Sequence, residues 1–233
     1  MHTSFRRVGP VAGGAAGLIA ALRKALGPDG TLVMPAWPAE EDGYDPATTP
    51  VARDLGITAA VFARMAETLR SPHVQAFAAA GPHAASIVDG PLPLPPHIPA
   101  SPVGKVHDLN GQILLLGVGH DTNTTLHLAE LIAGVPYGIP RVCLGTPYRE
   151  NDHCCERFTL AEDWLRADGL QSEGPVGHGH ARLMRSRDVV RLTVERLRLD
   201  PLLFLHPAAS GCAECDAARD SIVAECDNTS PTP

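Results

Sequence analysis

Gln112-Ile-Leu-Leu-Leu-Gly-Val118, Gly119-His-Asp-Thr-Asn123 and Thr124-Thr-Leu-His-Leu-Ala-Glu-Leu-Ile-Ala-Gly134 follow one another without a break. The first is a short apolar run closed by glycine and reads as a buried strand; the second is a polar turn; the third reads as a helix over 124–134. Strand, turn and helix in succession are the working unit of an α/β protein. On the N-terminal side, residues 11–26 form a helix with Leu18, Leu22, Ala25 and Leu26 on one face and Gly27-Pro28 as its stop. Gly30–Pro35 and Gln75–Ala80 read as strands, separated by an acidic loop over 36–57 and a helix from Thr58 to about Leu69. Pro82 suits the first position of a short helix to Val88, Pro91–Pro99 is extended, and Ser101-Pro102 opens a further helix.

Towards the C-terminus, Thr159-Leu-Ala-Glu162 has the form of a capping box for a helix to Asp168, with Gly169 as terminator. A strand is expected over 176–184, a helix from Ser186 to Leu199 and a short strand over 202–205. The whole predicts one domain over 1–226, a three-layer α/β sandwich, followed by a disordered tail at 227–233.

Composition narrows the function. Hydrophobic residues make up 44% of 233 and the net charge is −7. That average field repels nucleic acid, attracts a polycationic small molecule, and is also common in enzymes that are acidic for solubility alone. No apolar run approaches the roughly 20 residues of a membrane helix, and no signal peptide follows Met1, so a cytoplasmic protein that binds no membrane is expected. Cys212-Ala-Glu-Cys215 has metal-knuckle spacing, but Cys154-Cys155 are adjacent and supply no second knuckle; the six cysteines are read as reduced thiols and no metal is expected.

The richest chemistry lies at the start of the 124–134 helix. Gly117 and Gly119 allow a ligand close to the backbone, and His120–Thr124 gather polar groups where helix N–H groups are free. With Thr124 as N-cap, His127 falls in the first turn, where the helix dipole favours a neutral imidazole able to accept a proton. A plain capping loop with a packed histidine fits the same residues. A second cluster, Glu150-Asn-Asp152-His153-Cys-Cys-Glu156, puts three carboxylates into one short segment, and Glu40-Glu41-Asp42 with Asp45 puts four into another. Either could face a cation or simply solvent. No P-loop, HExxH or GxSxG signature is present, nor the pyrophosphate-loop signature of the common acetyl-CoA-dependent acetyltransferases.

Seven strings then carry a resemblance: His2–Arg6, Gly30–Pro35, Asp45–Thr48, Pro91–His97, Gly117–Glu130, Glu150–Phe158 and Gly211–Arg219. From His2 to about Ile222 the chain resembles the aminoglycoside 3-N-acetyltransferases, an antibiotic acetyltransferase family with its own α/β sandwich, and most of all their type IV apramycin- and gentamicin-resistance branch. The resemblance implies direct acetyl transfer from acetyl-CoA to the 3-amino group of a 2-deoxystreptamine ring, with no metal. It implies His127 as general base, Glu150 as its carboxylate partner, and Glu41, Asp42, Asp121, Asn151 and Asp152 against the drug. Thr3, Ser4, Phe5, Gly117, Val118 and Thr124 would line the acetyl-CoA pocket. The expected assembly is a monomer or homodimer. Relatives carry an apolar strand ahead of the His-Thr-Ser-Phe segment and a longer hairpin where Arg141–Glu150 stands, so reduced stability or activity is expected. The competing expectations are an acetyltransferase for another amine, a homologue that binds aminoglycosides without efficient turnover, and a zinc-binding interaction module.

Overall fold

The computed structural model describes residues 1–228. In chain order its first half contains β1 (His2–Thr3), α1 (Phe5–Val8), α2 (Gly14–Leu26), β2 (Leu32–Pro35), α3 (Gly56–Phe62), β3 (Leu69–Arg70), β4 (Phe77–Ala80), α4 (Ala84–Val88) and α5 (Pro102–Asp108). The second half contains β5 (Gln112–Leu116), α6 (Thr125–Ala133), β6 (Ile139–Cys143), β7 (Thr146–Glu150), α7 (Leu160–Ala167), β8 (Gln171–Val176), β9 (Gly179–Arg185), α8 (Ser186–Leu199) and α9 (Ala213–Asn228).

The strand read first, β5, is the hinge of the architecture. It pairs in parallel with β1, with His2 opposite Leu115, and antiparallel with β9, giving a mixed sheet in the order β1-β5-β9-β8. Successive side chains of a strand face opposite ways. Ile113 and Leu115 enter a core with Leu126, Leu165 and Val189 from α6, α7 and α8. Leu116 packs the other way, with Val8 and Leu18 from α1 and α2. Helices therefore cover both faces of the sheet, the layered α/β arrangement expected from the sequence. A smaller sheet, β2-β4-β3, packs Leu32 and Met34 against Ile19 and Phe62.

Local chemistry explains several boundaries. Ser101 Oγ accepts the Gly104 N–H at 3.3 Å and Pro102 takes the first helical position, so α5 begins where expected. Ser101→Ala is expected to lower stability by about 1 kcal/mol, measured by urea unfolding. Gly177 turns β8 into β9 at φ +55, with Val8 O only 1.6 Å from where a Cβ would stand. No larger residue fits that turn.

Other sequence expectations are corrected. The helix expected from Thr58 to Leu69 is shorter, ending at Phe62, and Leu69 belongs to an edge strand. Thr159 makes no capping bond; its hydroxyl donates to Glu156 O at 2.8 Å, because a 3-10 turn over Glu156–Thr159 already leads into α7. The single strand expected over 176–184 is the second half of a hairpin starting at Gln171. Residues 202–205 form turns, and Phe204 is buried as a core side chain without strand pairing. Asp227 and Asn228, expected in a disordered tail, end α9; residues 229–233 lie outside the described residues. Arg141–Glu150 does form a hairpin, β6 with β7, closed by Leu144 and Gly145 at φ 48 and 79, the positive values a two-residue turn requires. Among the described residues no helix is long and apolar enough to cross a membrane.

Candidate active site

α6 presents the histidine. Asn123 Oδ1 accepts the Thr125 N–H at 3.2 Å, so Asn123 does the capping that sequence reasoning assigned to Thr124, whose backbone is already helical. His127 lies in the first turn, as expected, with its side chain 20% exposed and so reachable. His97 stacks on it, centroids 5.4 Å apart at 18°, and Phe158 meets it edge-on at 4.9 Å. The ring plane is thereby held.

The carboxylate that touches His127 is Glu130, not Glu150. Nδ1 of His127 donates to Glu130 Oε2 at 2.8 Å, three residues along the same helix. The other oxygen of Glu130 accepts from His153 Nε2 at 2.8 Å and from the Tyr137 hydroxyl at 2.5 Å. Burial by itself would push the Glu130 pKa up, but the hydrogen bonds and charges of His127 and His153 hold it at about 2. An ionised carboxylate is thus buried yet fully satisfied.

This partner reverses the protonation expected from the helix dipole. Burial disfavours the imidazolium of His127, but hydrogen bonds with Cys155 and Glu130, with the Glu130 charge, raise its pKa to about 10. A dipole near a helix start is worth about 0.3–1 kcal/mol, less than a buried carboxylate in direct contact. Neighbouring His97 behaves oppositely: burial, with the His127 charge beside it, lowers it to about 3. His97 is therefore a neutral stacking plate. With Nδ1 committed to Glu130, Nε2 is the nitrogen that faces outward chemistry; Cys155 Sγ stands 3.5 Å from it.

Glu150 ends β7, where it accepts the Tyr148 hydroxyl at 3.1 Å and lies 3.7 Å from Arg141 Nε. Burial and the nearby Asp152 raise its pKa, and the charges of Arg141 and His127 pull it back. It shares the electrostatic field of His127 without contact. Asp152 pairs with Arg141 and keeps a 45% exposed side chain. Asn151 is half-buried between them. From the opposite side the acidic loop folds onto the hairpin, with Cys143 Sγ 3.8 Å from Glu41 Oε2; Asp42 is exposed. Asp121 is also exposed and its carboxylate folds over Gly119.

The residues expected around the acyl donor gather where β1 meets the end of β5. Thr3 is opposite Leu116, Ser4 N–H donates to Leu116 O at 2.9 Å, and Phe5 packs beneath. Gly117, at φ +73, would bring a Cβ to 3.0 Å from Arg7 Cβ and 3.1 Å from Ser4 O. Val118 follows, its carbonyl accepting from Arg182 at 3.2 Å. Thr124 hydrogen-bonds with His2 at 3.3 Å, and both line a cavity of about 690 Å³ with Val33, Phe77 and Val103. Thr3, Ser4, Phe5, Gly117 and Val118 are not on its wall.

Sequence reasoning missed Glu130, Tyr137, His97 and the role of His153. Only Glu130 left a signal, its place three residues after His127.

Residues 1–198 match the family model described as aminoglycoside 3-N-acetyltransferase. Aminoglycoside N(3)-acetyltransferase IV of Salmonella sp is 58% identical over 220 residues, covering 91% of this chain and 84% of that protein. A crystal structure of a histidine-to-alanine variant of aminoglycoside acetyltransferase AAC(3)-IVa in complex with gentamicin superposes with a TM-score of 0.91 at 60% identity, over 95% of this chain and 89% of the other. AAC-IIIb, in a binary complex with CoASH, superposes at 0.72 with 25% identity, over 85% and 88%. The chain belongs to the aminoglycoside 3-N-acetyltransferase family.

Proposed function

We propose that the protein moves an acetyl group from acetyl-CoA directly to the 3-amino group of an aminoglycoside, with His127 as general base and Glu130 as the group that orients and charges it. The contact between His127 Nδ1 and Glu130 carries this reading. An aminoglycoside amine is mostly ammonium at neutral pH and must lose a proton to become a nucleophile. The fraction of His127 that is deprotonated at Nε2 takes one proton from the ammonium, Glu130 stabilises the imidazolium formed, the freed amine attacks the thioester carbonyl, and the second proton on nitrogen passes to the leaving sulfur as the C–S bond breaks, so the coenzyme departs as thiol. The CoASH complex of AAC-IIIb supports the donor. Thr3, Ser4, Phe5, Gly117, Val118 and Thr124 are the candidate donor contacts.

The drug is drawn by the acidic rim: Glu150 at the end of the hairpin and Asp152 just after it, with the neutral amide of Asn151 between them, Glu41 and Asp42 from the loop, and Asp121 near the helix start. The gentamicin complex of AAC(3)-IVa supports a substrate of this kind. Here Glu150 is a candidate ammonium contact, while Glu130 braces the base. Asp152→Asn is expected to raise the aminoglycoside KM roughly tenfold with kcat little changed, the size of one charge-assisted hydrogen bond. Initial rates against drug concentration check it.

A second reading rests on Cys155, 3.5 Å from His127 Nε2, which could take the acetyl group first. Thiol release from acetyl-CoA across an aminoglycoside panel, with both substrates varied, decides. Intersecting double-reciprocal lines with acetylation at the 3-amino group support direct transfer. Parallel lines favour a Cys155 intermediate, and no drug-dependent thiol release overturns the proposal.

A further inference from the structure

Three cysteines that the acetyl-transfer reading leaves unused are drawn to one place by the fold. Cys212 and Cys215 flank the first turn of α9, three positions apart in the C-x-x-C spacing, and Cys154 comes from the strap that follows β7. Their three sulfurs lie within 4.8 Å of one another, and Cys154 and Cys215 are 3.7 Å apart. Two thiolates on a tetrahedral zinc, each at about 2.3 Å, stand roughly 3.8 Å apart. A disulfide needs about 2.0 Å and uses two sulfurs, leaving the third without purpose.

The surroundings have the form of a zinc knuckle. Backbone N–H groups of Cys215 and Glu214 hydrogen-bond to the Cys212 sulfur. The Glu156 N–H points at Cys154. His206 and Glu156 lie within the same 4.8 Å limit of Cys154, and Glu156 Oε2 is 3.2 Å from His206 Nε2. A carboxylate on Nε2 leaves Nδ1 as the nitrogen His206 would offer a metal, the arrangement that supports a ligating histidine. Adjacency of Cys154 and Cys155 argued against a metal in the sequence, but Cys155 adopts φ +59 and its sulfur points back to His127. The two thiols diverge, and only Cys154 joins the cluster.

We infer that Cys154, Cys212 and Cys215, completed by His206, bind one structural zinc ion that ties α9 to the strap carrying His153 and Cys155. The site is separate from the His127–Glu130 pair, and its bond to the strap gives α9 a reason to pack beside the active site. The probe is zinc itself. Protein made in zinc-supplemented medium and freed of loosely bound metal should carry one zinc per chain by elemental analysis, with none in Cys212→Ser or Cys215→Ser and one in Cys143→Ser. Zinc-edge X-ray absorption of the wild type should fit three sulfurs at about 2.3 Å and one nitrogen at about 2.0 Å. Cobalt loaded into stripped wild-type protein should show thiolate charge-transfer and tetrahedral bands, which keeps the test open if the serine variants do not fold. Zinc-free wild-type protein with a disulfide among these cysteines, a first shell lacking sulfur, or full zinc in both serine variants would overturn the inference.

Discussion

Replacing His127 with alanine is expected to lower kcat by roughly 10²–10⁴-fold, the range for loss of a positioned general base, while the aminoglycoside KM changes only a few-fold. The asymmetry follows from where charge sits. The acidic rim that attracts the drug is built from Glu150, Asp152 and the 41–42 loop, none of which depends on the imidazole for its place. Glu130 stays paired with His153 and Tyr137 in the variant, so the fold should persist. Steady-state kinetics with acetyl-CoA saturating separate the two parameters. A variant that binds weakly but turns over at the normal rate would make His127 a binding residue instead.

The second large effect concerns Glu130. It is fully buried and receives His127, His153 and Tyr137 together, so Glu130→Ala removes one acceptor from three donors in a dry environment. Breaking such a cluster costs about 3–5 kcal/mol, because the remaining groups are left buried and unpaired. Thermal or urea unfolding reads it. The pH dependence follows from the pKa directions. Glu130 is lowered from 4.5 to about 2, so its contribution is present above the unfolded value and is lost as pH falls through the interval towards 2. His127 is raised from 6.5 to about 10, so its contribution is complete below 6.5 and fades as pH rises towards 10. The variant should lose both dependences along with its stability.

How much of this was legible in the sequence differs by element. The β5–α6 unit was plain, because an apolar run closed by glycine leaves few other conformations and packing on both faces keeps Ile113 to Leu116 apolar. α9 was not, since Ala213–Asn228 carries no apolar stripe and its early turns are held by a few small residues such as Cys215 and Ala218. Phe204 and Leu205 look like a strand because they are apolar, yet tertiary packing alone buries them. Within the site, sequence placed His127 and the acidic segment, and the family resemblance added Glu150 as partner. What adjacency in sequence cannot show is which carboxylate a fold turns inward. Glu130 was at helical reach throughout; Glu150 lies on a hairpin that faces Arg141 and Tyr148. The three cysteines are a similar case: Cys154 stands more than fifty residues before Cys212 and Cys215 and meets them only through the packing of α9.

The ionic pair at the base of α6 is tested most directly by the pH dependence of kcat/KM in wild type and in Glu130→Gln, which keeps shape and removes charge. Without that carboxylate the histidine holds its proton less tightly, so the rising limb should shift to lower pH by roughly 1–3 units, with a lower plateau because the imidazolium is no longer stabilised. Superimposable rising limbs in the two proteins would contradict the account.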